Sequence, residues 1–460
     1  MKDFAAAPTG GRPLIIEAKA LVRLAGPIVA TQLGQMCIGT TDVLMIGRLD
    51  KDALAAAALG WSLYFAAFMF GLGSAMAVAP MIAHRLGEGR RGDEGVRVCV
   101  RMALWGMLAL TPGLSVFLYF AGDLLAALGE PAELAVAAGG FVRILCFGLP
   151  AALAFHVLRG YATALGRPTT ALVVTGLTIV INGVADFALI FGHFGMKRLG
   201  LEGAAIASAA SLNISFIAIV AATLLVPALR RYRPFHRFFE VDWPTFVELF
   251  KLGVPIGLAM LVEMAFFSGS SLIMGYFGAP AVAAHQIALN VASIAFMVPL
   301  GIGTAASVRV GLAAGAGNGT GVRSAGGMAL ALSASVMTSF GIVLALFPRH
   351  IAGLYVDVDN PANVLVTTDA IIFLRFAAAF QLFDSVQVTA SHALRGLKDT
   401  SGPMLIAGIC YGAIGLPCAV WLSFAEQWRG AGVWGAFCLG LVLAAVTLTW
   451  RFVHKSNEFS

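Results

Sequence analysis

Apolar residues fill this chain in long runs, and short breaks rich in charge, glycine or proline separate them. About twelve runs emerge, near 21–46, 54–83, 98–128, 136–158, 169–191, 203–227, 246–277, 282–308, 324–347, 366–394, 403–424 and 430–452. A helix needs about 20 predominantly apolar residues to cross a bilayer, where lipid offers the backbone no hydrogen-bond partner. The pattern predicts an all-α polytopic membrane protein with about twelve transmembrane helices. Its most polar central break, RRYRPFHRFFEVDWP, falls between the sixth and seventh runs. Two lobes are therefore expected: residues 1–241, ending in this basic linker, and residues 242–460.

The two halves repeat one another. GPIVATQLGQMCIGTTDVLMIG, from Gly26, parallels VPIGLAMLVEMAFFSGSSLIMG, from Val254, with Pro27 opposite Pro255 and Gly47 opposite Gly275. Gly73-Ser74 faces Gly303-Thr304, and Gly87-Glu-Gly89 faces Gly317-Asn-Gly319. His156-Val-Leu-Arg159-Gly160 with a following Gly166-Arg-Pro168 matches His392-Ala-Leu-Arg395-Gly396 with Ser401-Gly-Pro403. Ordered matches at nearly constant offset indicate a duplicated six-helix unit. Six crossings return the chain to its starting side, so the copies share one orientation, related by a pseudo-two-fold axis along the membrane normal.

Charge sharpens this picture. Hydrophobic residues make up 59% of the chain and charged ones 12%, half the share of a soluble domain, so the water-facing surface of a soluble protein is lacking. With the N-terminus inside, the cytoplasmic face receives Arg12, Lys19, Arg23, Arg85, Arg90, Arg91, Arg97, Arg101, Arg230, Arg231, Arg233, Arg237, Arg451 and Lys455. The opposite face keeps Arg48, Lys51, Lys197, Arg198, Arg349 and Arg429, a bias that places both termini in the cytoplasm. No cleaved signal peptide is expected at the N-terminus, and the six cysteines read as small buried hydrophobes.

Four acids interrupt the apolar runs: Asp42, Asp186, Glu263 and Asp384. A carboxylate in the membrane costs at least about 2.5–3.5 kcal/mol on insertion scales, so each marks a candidate functional site. Asp42, near the outer end of its helix, has an interfacial position as its alternative. Asn182 lies one turn before Asp186 and shares its helix face, a set that suits either a hard cation or a proton. Gln286 and Asn290 repeat the four-residue spacing in the eighth run, and Gln381 lies three residues before Asp384; helix–helix hydrogen bonding is their plain alternative. Phe266, Phe267, Phe380 and Phe383 flank Glu263 and Asp384, and aromatic rings beside acids suit a lipophilic cation. Arg143 and Arg375, near outer helix ends, are expected to anchor at the interface, and His156 and His392 to be tolerated near the cytoplasmic ends.

TTDVLMIGRL in the first run, LRGYATALGRP and LRGLKDTSGP after the fourth and tenth, and FQLFDSVQ within the tenth resemble the multidrug and toxic compound extrusion (MATE) transporters over residues 20–450. Glu263 and Asp384 look like the C-lobe acid pair of the NorM-type branch. Asp42, Asn182 and Asp186 match the family's N-lobe site, where a threonine from the sixth helix usually completes the set and Ser208 stands here. The resemblance implies a V-shaped, monomeric antiporter of the inner membrane. It would export organic cations in exchange for Na+ or H+, with no other cofactor, no nucleic-acid partner, and a bend at Pro27 as the switch.

Three other readings have sequence-level discriminators. A lipid-linked precursor flippase should line its cavity with basic residues, whereas here the acids are central and the arginines lie at helix ends. A major-facilitator transporter should carry an Asp-Arg pair that RLGEGRRG lacks. An intramembrane hydrolase should show a motif such as G-x-S-x-G or H-E-x-x-H, and the chain has neither.

Overall fold

The computed structural model describes residues 13–89 and 92–459, so Arg12, Arg90 and Arg91 lie outside the described residues. Among the described residues, twelve helices are long and apolar enough to cross a membrane: α1 (Ile16–Ile46), α2 (Lys51–Gly87), α3 (Asp93–Tyr119), α4 (Ala132–Ala164), α5 (Pro168–Phe191), α6 (Gly200–Leu225), α7 (Trp243–Gly275), α8 (Ala279–Gly315), α9 (Gly319–Leu346), α10 (Pro361–Gly396), α11 (Ser401–Ala425) and α12 (Gly430–Asn457). Each answers one apolar run. The third run differs most, because α3 ends at Tyr119 and residues 121–127 form a separate short helix.

Local chemistry sets the helix ends. Asp50 caps α2 by accepting the Ala53 amide at 2.6 Å, and Asn318 caps α9 by accepting the Gly321 amide at 2.9 Å. Asp242 caps α7 through the Thr245 amide at 2.9 Å. Gly192 closes α5 at φ +79°, where an added Cβ would also lie 2.9 Å from the Arg198 nitrogen. Within α11, Gly408–Gly415 and Trp421–Ala425 wind as π-helix, a local widening that re-aims side chains.

The chain folds into two compact units whose boundaries are not those of the covalent repeat. One unit is Ala30–Gly257; the other joins α1 up to Val29 to everything from Leu258 onward. The polar linker at 241/242 is therefore not the packing boundary. Each boundary falls just after the repeat-related proline of α1 or α7, Pro27 or Pro255. Within the N-terminal unit, the first half of α7 packs on α2 with almost no side chain between: a Cβ on Gly73 would lie 2.2 Å from the Gly257 nitrogen, and one on Gly253 2.3 Å from Ser74 Cα. Small residues that let backbones touch are how membrane helices gain packing energy. Within the C-terminal unit, α1 meets α8 similarly, a Cβ on Gly301 falling 2.4 Å from Val29 Cγ2. A bidentate ion pair reinforces this contact, with Arg309 Nε donating to Glu17 Oε1 at 2.8 Å and Nη2 to Oε2. The basic linker is strapped to the N-terminal unit: Arg101 donates to the Arg237 carbonyl at 2.9 Å, Trp105 to Phe238 at 2.8 Å and Tyr161 to Leu229 at 2.6 Å.

Candidate ion and substrate sites

In the N-terminal unit, α1, α5 and α6 bring the predicted N-lobe residues together. Asp42 is buried within the protein. Its Oδ2 accepts a 2.9 Å hydrogen bond from Ser208 Oγ, and Asn182 and Asp186 lie within interaction range of the same carboxylate. Asn182 and Asp186 have no exposed surface, yet neither Asp186 oxygen and neither Asn182 amide atom makes a well-formed hydrogen bond among the described residues. A buried polar group without a partner costs about 1–3 kcal/mol, more when charged, which makes this oxygen-rich cluster a candidate cation or proton site. Two facing carboxylates call for a bound cation or a shared proton.

The site continues along α5 and α6 in residues the sequence reading passed over. Thr175 and Thr178 lie on the α5 face that carries Asn182 and Asp186, while Ser211 and Ser215 follow Ser208 on α6, all buried. Thr178 and Ser215 hydroxyls meet at 2.7 Å. Spacings of three, four and seven residues could have revealed this polar stripe, but serine and threonine cost so little in a membrane helix that they leave no sharp signal.

In the C-terminal unit, Glu263 on α7 and Asp384 on α10 lie close enough to repel each other, and the buried Gln381 amide, one turn from Asp384, makes no hydrogen bond among the described residues. Three further residues complete the cluster. The π-helical turn of α11 carries buried Tyr411, whose hydroxyl makes no hydrogen bond among the described residues and lies within electrostatic range of both acids. Arg395 faces Glu263, and its Nη1 donates to His392 Nε2 at 3.2 Å. His392 Nδ1 meets the Val388 carbonyl at 2.9 Å, so it must carry the proton, and Nε2, receiving the arginine, must be bare. His392 is thus held by the Val388 carbonyl and Arg395 in a buried network.

Other expectations need correction. Gln286 and Asn290 both sit on an exposed face of α8, and Asn290 Oδ1 accepts the Tyr355 hydroxyl at 2.8 Å. The inward residue is His285, 3.3 Å from Ser271 Oγ and edge-on to Trp434 at 5.8 Å, because one helical step turns a side chain by about 100°. The four phenylalanines also differ from one another. Phe266 is buried against Tyr411 at 5.5 Å and Phe437 at 5.0 Å, and Phe380 against Trp434 at 5.8 Å. Phe267 and Phe383 are only partly covered. Arginine is not confined to helix ends facing water either, since Arg159 and Arg395 turn into the protein. Arg143 and Arg375 are exposed, and Arg143 lies over the Tyr119 ring at 4.6 Å, in keeping with anchoring. Pro27 sits inside an unbroken helix, where it removes one backbone hydrogen bond.

A profile of the MatE family matches the chain twice, at residues 27–188 and 255–421, so each half carries one copy and both copies begin at the paired prolines. A protein of Mesorhizobium japonicum named "Probable multidrug resistance protein NorM" is 40% identical over 96% of this chain and 94% of its own length. One of the same name from Rhizobium meliloti is 41% identical over 96% and 94%. Among solved structures, the eukaryotic MATE transporter AtDTX14 superposes with TM-score 0.85 at 22% identity, covering 97% of this chain and 98% of its own. A MATE in the straight conformation superposes at 0.87 with 20% identity, covering 100% and 98%. A Pyrococcus furiosus MOP superfamily transporter titled as having a binding pocket of reverse polarity superposes at 0.86 with 20% identity, also covering 100% and 98%. Structures this distant share the fold; they do not assign the cargo.

Proposed function

Because this chain belongs to the MatE family, whose members are membrane transporters and not enzymes, we propose that it is a multidrug efflux protein exchanging lipophilic organic cations for Na+ or H+ by alternating access. The observation that carries the coupling is the N-terminal cluster of Asp42, Asp186, Asn182 and Ser208, in which Asp42 Oδ1, both Asp186 oxygens and the Asn182 amide make no hydrogen bond among the described residues. A cation or proton there stabilises whichever conformation closes around it. A ligand shifts such an equilibrium only through its differential affinity for the two states. The C-terminal cluster is the second element, with Glu263 and Asp384 supplying charge and the rings around Phe267 and Phe383 supplying apolar and cation–π contact, each ring worth about 0.5–2 kcal/mol. Following the distribution of Lys and Arg, both termini lie in the cytoplasm, with the protein in the inner membrane as a monomer and no cofactor beyond the coupling ion.

Purified protein in liposomes, loaded with a fluorescent organic cation and given an imposed Na+ gradient or, separately, a pH gradient, tests this reading. One gradient should drive export. Asp42→Asn and Asp186→Asn should abolish dependence on that gradient, and Glu263→Gln and Asp384→Asn should lower export of the cation at least tenfold. Full ion dependence in the first pair refutes the coupling site. Preference for an anionic dye over the cation refutes the acidic pocket and favours the flippase alternative.

A further inference from the structure

The basic linker between α6 and α7 is held in one shape by the side chains of α3. Arg97 Nε donates to the Tyr232 carbonyl at 3.3 Å, Arg101 to that of Arg237 and Trp105 to that of Phe238, whose ring also stacks on Trp105 at 5.7 Å. Arg233 and Arg237 adopt left-handed φ values of +47° and +54°, a conformation that glycine takes at lower cost. Arginine at both positions keeps a charged side chain on the outside of a fixed turn. Arg230, Arg231, Arg233 and Arg237 are all exposed. Arg231 meets Asp93 at 3.8 Å and Arg237 meets Glu240 at 3.4 Å, with all four side chains more than half exposed, so water screens both pairs. Arg230 and Arg233 form no ion pair among the described residues.

The first turns of α7 add a place for an apolar chain. The helix has 33 residues, about 50 Å at 1.5 Å each, against about 30 Å of hydrocarbon in a bilayer. Residues 264–275 carry no charge, whereas Glu248 and Lys251 lie in the first third, so the surplus length stands at the linker end, among the lipid headgroups. Trp243, Phe246 and Phe250 form a ladder of edge-to-face rings at 5.7 and 5.2 Å. Trp243 is 66% exposed and Phe239 83%, the placement of an interfacial aromatic belt. Along this stretch runs a groove of about 430 Å³, lined by Phe246, Val247, Phe250, Lys251, Val254 and Pro255 and large enough for a small ligand. Only Lys251 among them is charged; it is exposed and forms no ion pair among the described residues. Groove and linker are neighbours, because consecutive residues of α3 touch both. Trp105 holds Phe238, and a Cβ on Gly106 would lie 2.5 Å from Leu249 Cδ2 and 3.5 Å from Phe250 Cζ. All of these residues belong to the N-terminal unit.

We propose that the linker and the first turns of α7 form a binding site for an anionic glycerophospholipid, with the headgroup on Arg233, Arg237 and Lys251 and an acyl chain along the groove. Basic clusters beside a membrane helix attract anionic headgroups, and here the cations are fixed next to an apolar track at headgroup depth. A soluble phosphate would leave the track unused, and a zwitterionic lipid would leave the cations without a net counter-charge. The site is separate from the acid clusters and independent of the export reading.

Delipidated full-length protein in detergent, titrated with dioleoyl phosphatidylglycerol or dioleoyl phosphatidylcholine, tests the proposal, with bound lipid read by native mass spectrometry. The unaltered protein should bind one phosphatidylglycerol about tenfold or more tighter than phosphatidylcholine. Replacing the three cations together, Arg233→Gln, Arg237→Gln and Lys251→Gln, should abolish that preference and leave phosphatidylcholine within about twofold. A control that removes the same charge from the opposite helix ends of the same unit, Arg48→Gln, Lys197→Gln and Arg198→Gln, should keep the preference. Val254→Trp, which fills the groove, should weaken both lipids, and millimolar glycerol 3-phosphate should displace neither. No headgroup preference, or an equal loss in the control, would overturn the proposal, since net charge alone would then account for binding. Displacement by glycerol 3-phosphate would reduce the site to one for soluble anions, and unchanged binding in Val254→Trp would remove the acyl groove; either result also overturns it.

Discussion

Replacing Glu17 with alanine should loosen the first half of α1 from its unit by a large and local amount. Glu17 is 3% exposed and Arg309 10%, and the carboxylate takes two hydrogen bonds from the guanidinium. Removing one partner of a buried pair leaves the other charge where water cannot reach it, which costs about 3–5 kcal/mol. At about 1.4 kcal/mol per factor of ten, that is roughly two to four orders of magnitude in an unfolding equilibrium. Replacing both by apolar residues of similar volume, as in Glu17→Met with Arg309→Leu, should bring the loss back to about 1 kcal/mol, because no charge remains to be stranded. SDS-titrated unfolding in mixed micelles, run on both single variants and the double, measures the coupling between them. Hydrogen exchange should then place the lost protection in α1 up to Val29 and in the α8 segment around Gly301, where the two helices meet. A single variant less than about 1 kcal/mol below the parent, or a double variant as poor as the sum of the singles, would refute the reasoning.

Gly73→Val should destabilise by at least about 1–3 kcal/mol, because backbone atoms of Gly257 occupy the position of the new Cβ and cannot rotate away. Gly176→Ala, where a Cβ meets nothing within 4 Å, serves as the control and should leave the thermal midpoint on gel filtration nearly unchanged. Asp242→Ala should cost about 1 kcal/mol at neutral pH through loss of the α7 cap. The Asp242 carboxyl is held below its usual range by the Thr245 hydroxyl and amide, so its contribution is complete above about pH 4 and disappears as acid protonates it. Thermal midpoints of parent and variant should therefore differ at pH 7 and converge in strong acid; a gap that widens as pH falls contradicts the cap.

Much of this protein is legible without coordinates, because the bilayer penalises departures from its rules one residue at a time. Twelve apolar runs, the acids inside four of them, and a duplicated unit with prolines 27 and 255 in register each follow from local pattern. Asp42, Asn182, Asp186 and Ser208 come together as that pattern suggests, since a polar residue in a membrane helix must find others. What tertiary structure alone decided is pairing across long stretches of chain and the phase of individual side chains. Nothing in the sequence joins Glu17 to a residue 292 positions away, or shows that the first halves of α1 and α7 leave the six-helix repeat to which they are covalently attached. The spacing of Gln286 and Asn290 describes a shared face correctly, but only packing decides that His285 is the residue turned inward. Arg159 and Arg395 stand at matching positions of matching motifs, yet one faces a carboxylate and the other two neutral amides. That difference comes from which neighbouring helix supplies the facing residue, a property of the packed molecule that no stretch of its sequence contains.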